Sequence, residues 1–338
     1  MRFRFVFPLV LGATALVSAA LLRPRLRAAL APEVETAAPP EVETAAPAPP
    51  PPTATATAST PKPPPPPPPP WAHENPEGAT ACAPGMVLVD GVYCPFVGHR
   101  CTRFLYEDRD VCAEYAPEVI CEGRLSHKRY CVDRYEYPNL EGVYPVVMVD
   151  YDQAKHACSV EGKRLCTTEE WEFACEGPQM WPYPYGTKRD ATICNIDKPH
   201  PEPELVLFSR PWAISGEVDR LDQRVRSGEL HRCVSPFGVH DMTGNVDEWA
   251  FNARGKIHEK PYQSGLKGGY WGPIRARCRP MTSSHNQWFS FYQVGMRCCS
   301  EAAPPSGRSA AGAPPKSDFG VAGALPSRRV RPLELPPR

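Results

Sequence analysis

The chain has 338 residues, and its 44 prolines and 24 glycines are too many for the whole length to fold into packed cores. Its 38 basic and 38 acidic residues cancel, so no net field is available to hold nucleic acid. All 14 cysteines fall between Cys82 and Cys299 with no CxxC pair, which argues against a zinc ribbon and for disulfides in an oxidising compartment.

In chain order, Arg2 and Arg4 precede a charge-free apolar run from Phe5 to Leu22, and Arg23, Arg25 and Arg27 follow it. Residues 1–31 read as a membrane anchor or signal segment. The run approaches the ~20 residues a bilayer span needs and exceeds the ~7 to 15 of a cleaved signal core. An uncleaved anchor is favoured; cleavage after Val17-Ser18-Ala19 would instead release a secreted protein. The cysteines place the bulk of the chain outside the cytoplasm, in a periplasm or at a cell surface. Residues 32–81 read as a disordered proline-rich linker: Pro-Glu-Val-Glu-Thr-Ala-Ala-Pro starts at Pro32 and again at Pro40, and Pro63 to Pro70 are all prolines. As polyproline II this stretch reaches roughly 120 Å.

Residues 82–300 form the expected folded domain, and 301–338, rich in Ala, Pro, Gly and Ser, a disordered tail. Met86 to Val89, Tyr130 to Val132 and Val146 to Val149 are strand candidates. One helix starts near Asp150 to Asp152 and stops at Gly162. A second follows the capping box of Thr167 and Glu170 and stops at Gly177. Loop signals dominate the rest, so disulfides or bound ions must supplement the core. The stretch Asp241-Met242-Thr243-Gly244-Asn245-Val246-Asp247-Glu248-Trp249 follows neither helix nor strand period. It gathers three carboxylates around a turn-forming Gly-Asn step.

Taken in order, several fragments resemble the formylglycine-generating enzyme family, also called the sulfatase-modifying-factor family. They include Gly85 to Gly91, Tyr130 to Asn139, Tyr144 to Val147, Gly162 to Cys175 and Tyr183 to Gly186. Phe237 to His240 leading into the 241–249 loop, Lys267 to Trp271 and Val294 to Cys298 complete the series. The resemblance implies a disulfide-rich α+β domain of C-type-lectin-like fold, with little regular secondary structure, structural calcium and a groove for an extended peptide. In family enzymes two cysteine thiolates hold copper and oxidise a sulfatase cysteine to formylglycine; Cu(I) needs such soft ligands.

Carried onto this chain, the resemblance assigns calcium to Asp241, Gly244, Val246 and Glu248, with main-chain carbonyls at the middle two. Asp247 stands where the family usually has Trp. A second calcium loop begins at Asn195 and Ile196, but its acidic residue lies in a divergent stretch. The copper pair does not carry over. Reading forward from Gly268-Gly269 places the cysteines at Pro273 and Cys278. Reading backward from Val294 to Cys298 makes Cys278 structural and leaves no cysteine from Tyr270 to Arg277. The second register implies disulfides Cys175 to Cys278 and Cys158 to Cys298. Trp271 and Trp288 are either groove-lining residues or core.

No HExxH, P-loop, GxSxG or GxGxxG occurs, so hydrolase and nucleotide readings have no support. Two readings remain. One is a membrane-tethered, calcium-stabilised domain that binds a protein or peptide, a sulfatase-like protein among them, without copper and without the oxidase. The other is an oxidase of a partner's cysteine that uses Cys278, with His285 and Cys299 as further ligands.

Overall fold

A computed structural model of the chain describes residues 66–106 and 111–305; all belong to one unit that begins at Pro63. Along them run α1 (Gly78–Ala81), β1 (Met86–Tyr93), β2 (Phe96–Gly98), β3 (Cys101–Tyr106), β4 (Val111–Tyr115), β5 (Ile120–Glu122) and β6 (Ser126–Asp133). Next come α2 (Tyr151–Val160), β7 (Arg164–Leu165), α3 (Thr168–Glu176), α4 (Leu205–Phe208) and α5 (Ile214–Leu221). β8 (Asp247–Phe251), β9 (Ser264–Lys267), β10 (Met281–Thr282), β11 (Val294–Met296) and β12 (Cys298–Glu301) close the order.

The apolar runs at 86–89 and 130–132 pair with each other. β1 and β6 are antiparallel, with Val87 opposite Val132 and Val89 opposite Tyr130. The first sheet has the order β1-β6-β12-β7, and the second β10-β9-β8-β11, where β11 runs parallel to β8. α3 supplies Trp171 and Phe173 to the core between β1 and the 237–242 segment. Burying side chains of this size stabilises by about 1.5–3 kcal/mol each. Both sequence-legible helices carry their capping boxes. In α2 Asp150 and Gln153 cap reciprocally, in α3 Thr167 and Glu170 do so, and Gly177 ends α3 at φ 66.

Three expectations are corrected. Val146 to Val149 is not a strand: Met148 adopts φ 61, and the main-chain amides of Val146 and Met148 go to Tyr137 and Phe291 in loops. The fold also begins before Cys82. Ala72 is buried, the Trp71 indole donates to Val234 O at 3.1 Å, His73 N bonds Pro236 O at 2.9 Å, and Glu74 pairs with Arg134. At the other end, Ala303 N donates to Ala81 O, so the packed chain continues past 300. The proposed anchor at 1–31, and most of the linker and tail, lie outside the described residues. Among the described residues no helix is long and apolar enough to cross a membrane.

Seven disulfides use all 14 cysteines: 82–131, 94–121, 101–112, 158–298, 166–299, 175–278 and 194–233. Cys94–Cys121 clasps the ribbon β2-β5, and Cys101–Cys112 the ribbon β3-β4. Each ribbon is a two-stranded sheet outside the two larger ones, and since an isolated hairpin is marginal in water, its disulfide is what secures it.

Candidate functional site

The loop entering β8 is built around left-handed backbone at Asp241 (φ 57), Gly244 (φ 80) and Asn245 (φ 55). Gly244 is obligatory there, because a Cβ would stand 2.2 Å from Asn195 O. The turn directs Asn245 inward. Its Nδ2 donates to Glu136 Oε2 at 2.6 Å, and its Oδ1 accepts from Asn195 Nδ2 and Val225 N. Glu136 also accepts from Val246 N at 3.1 Å. Glu248, on β8, is gripped by Arg297: Nε reaches Oε2 and Nη2 reaches Oε1, each at 2.8 Å, while the Trp171 indole donates to Oε2 at 2.7 Å.

Three buried carboxylates, Glu136, Asp241 and Glu248, therefore share one guanidinium. The surplus of negative charge has a visible effect. Burial first, with Glu248 adding, pushes Asp241 up to about 7; burial, then Asp241 and Glu248, raise Glu136 well above the carboxylate range. A divalent cation at Asp241 would offset that surplus, and a carboxylate is the hard oxygen donor calcium takes. Asp241 and the main-chain carbonyls of Gly244 and Val246 are the residues that would hold it. Glu248 differs from the assignment: Arg297 and Trp171 already occupy both its oxygens. Among the described residues no three His, Cys, Asp or Glu side chains converge as a metal cluster.

At the second calcium loop the structure shows an amide and a lysine sharing one acceptor, and one oxygen left over. Asn195 Nδ2 donates to Gln223 O at 3.0 Å, and the Lys198 ammonium donates to the same oxygen at 2.9 Å. Asn195 Oδ1 is buried without a partner, and Ile196 is packed in the core with Cys194 and Cys233.

Cys278 is likewise corrected as a catalytic residue. It is fully buried and bonded to Cys175, as Cys158 is to Cys298 and Cys166 to Cys299. A disulfide sulfur offers no thiolate to copper. His285 stacks on Phe289 with centroids 3.8 Å apart. Trp271 is fully buried among Leu221, Val246 and Tyr292, so it is core and not groove wall, whereas Trp288 is 67% exposed. Asp247, where an aromatic ring was expected, forms a two-bond pair with Arg275 at 2.7 and 3.0 Å.

Sequence reasoning missed three elements: the role of Glu136, the docking of Trp71, and a basic cavity beside Pro273. The last had a signal, since Arg275 and Arg277 stand two residues apart just after Pro273.

The profile for the sulfatase-modifying factor enzyme 1-like domain matches residues 118–302, more than half of the chain. The chain belongs to the sulfatase-modifying factor family. Its C-type-lectin-like α+β fold, poor in regular structure and rich in disulfides, is that of this family. Among curated relatives, the chain is 29% identical over 186 residues to a Bos taurus protein named inactive C-alpha-formylglycine-generating enzyme 2, covering 48% of this chain and 52% of that one. It is 25% identical over 183 residues to the Bos taurus formylglycine-generating enzyme, covering 48% and 46%. The chain thus spans about half the length of the curated relatives it matches. Among solved structures, PvdO from Pseudomonas aeruginosa superposes with a TM-score of 0.37 at 17% identity, over 64% of this chain and 94% of that one.

Proposed function

We propose that this protein is a calcium-stabilised, extracytoplasmic sulfatase-modifying-factor domain that binds a polypeptide and lacks the family's oxidase. One observation carries the reading: every cysteine, Cys278 included, is in a disulfide, and the forward register puts Pro273 where a copper-binding thiolate would be needed. Oxygen donors cannot replace a thiolate pair for soft Cu(I) without changing the metal. The match to a relative named inactive is consistent with this. Seven disulfides fit an oxidising compartment, and the apolar run at Phe5 to Leu22 would tether the domain to a membrane through the proline-rich segment. Calcium at Asp241 would neutralise the buried carboxylates and rigidify the loop that leads into β8. The partner is a protein or peptide, a sulfatase-like protein being the first to test.

The test is direct. Thiol titration of the denatured, unreduced chain should find no free cysteine. A cysteine peptide incubated with the protein, copper and O2 should show no formylglycine by mass spectrometry. Turnover that disappears in Cys278→Ser would overturn the proposal and establish the oxidase in its place.

A further inference from the structure

Beside Pro273 the surface sinks into a cavity of about 210 Å³, walled by Tyr115, Tyr183, Arg189, Arg275 and Arg277. None of its described lining residues is an acid. Two of the three guanidiniums are already neutralised from behind. Arg189 makes a two-bond pair with Asp197 at 2.7 and 2.8 Å and donates to Ile274 O. Arg275 holds Asp247, yet its Nη1 is buried with no partner. Arg277 meets no carboxylate among the described residues. It donates to the Tyr115 hydroxyl at 2.6 Å and lies 5.5 Å from that ring's centroid. Its charge is felt nearby: burial first, then Arg277 and Arg279, lower the pKa of His99.

The described lining is therefore electropositive, with an unpartnered donor at Arg275 Nη1 and the rings of Tyr115 and Tyr183 as flat walls. The cavity's volume is below the ~300 Å³ at which pockets begin to hold whole small molecules, so it suits one side chain. Guanidinium nitrogens in a fixed fork match the two oxygens of a carboxylate. We propose that this socket receives the carboxylate of an acidic side chain on an extended polypeptide, and so sets the sequence preference of the binding site. This rests on the peptide-binding reading above. It moves the centre of recognition from the buried Trp271 to the arginine-lined hollow beside Pro273.

The experiment titrates the full chain, in detergent, with three probes: a capped neutral peptide carrying one glutamate, the same peptide with glutamine instead, and free glutarate. A charge-assisted hydrogen bond of about 1.5–3 kcal/mol corresponds to roughly 10-fold or more in affinity. The glutamate peptide should bind at least about 10-fold tighter than its glutamine counterpart. That preference should vanish in Arg277→Gln and survive in part in Arg277→Lys, with melting temperatures showing that both variants are folded. Equal binding of the two peptides, a preference untouched by Arg277→Gln, or no binding of any probe would each overturn the socket. Glutarate binding as tightly as the glutamate peptide, and lost in Arg277→Gln, would keep the anion site and defeat the peptide reading instead.

Discussion

Replacing Arg297 by methionine removes the guanidinium that bonds Glu248 and whose charge also acts on Glu136 and Asp241. The side chain is fully buried and holds Glu248 through Nε and Nη2, while Nη1 and Nη2 also donate to the main-chain oxygens of Asp133 and His240 at 3.1 and 2.9 Å. Breaking a buried ion pair from one side costs about 3–5 kcal/mol, because the surviving charge stays desolvated. For a domain of this size each kcal/mol corresponds to about 2–4 °C, so Arg297→Met should melt roughly 6–20 °C below the parent. Scanning calorimetry in saturating calcium gives the number. Adding Glu248→Gln removes the stranded charge while the glutamine oxygen can still accept from the Trp171 indole, and the double variant should recover more than half of the loss. A single variant within 2 °C of the parent, judged against the 6–20 °C expected, would refute the charge argument. So would a double variant no more stable than the single one.

Removing calcium with EGTA should lower the melting temperature by ligand linkage, and Asp241→Asn should make melting indifferent to the chelator; an identical EGTA effect in that variant would exclude Asp241 as a ligand. Cys278→Ser opens the bridge to Cys175, a separation of 103 residues, and should destabilise by up to about 4.7 kcal/mol of chain entropy, read from denaturant midpoints. Trp71→Ala should free the proline segment and speed proteolysis between residues 66 and 77 without altering the melting of the rest by more than about 1–2 kcal/mol. The Arg134 guanidinium holds the Glu74 carboxyl below its ordinary value. Its contribution is present above the unfolded pKa and lost as pH falls through the lower folded one. Acidification below about pH 4 should therefore release the same segment, and Glu74→Gln should abolish that pH dependence.

What the sequence made legible was local. α2 and α3 could be read because each carries a capping box and an apolar stripe within ten residues, and the pairing strands β1 and β6 because their apolar runs are short and bounded. The 241–248 loop was recognisable as an unusual cluster of acids, yet its electrostatics were not. Glu136 and Arg297, which decide them, lie 105 and 56 residues from Asp241, and no periodicity links positions brought together only by tertiary packing. Val146 to Val149 misled for the opposite reason. Its β-branched composition fits a strand, but Met148 is held at positive φ by tertiary hydrogen bonds that propensity cannot register. The proline run misled too: an extended polyproline segment carries no core pattern of its own, so its docking depends wholly on the surface formed by Val234, Pro236 and Arg134.

β12 lies between β6 and β7, and its adjacent cysteines reach back to Cys158 and Cys166. The last strand among the described residues is thus an interior plank of the first sheet. The first sheet cannot be completed until residues 298–301 are made, and until then Cys158 and Cys166 lack their partners. A chain truncated before residue 298 should therefore accumulate scrambled bridges at those two cysteines.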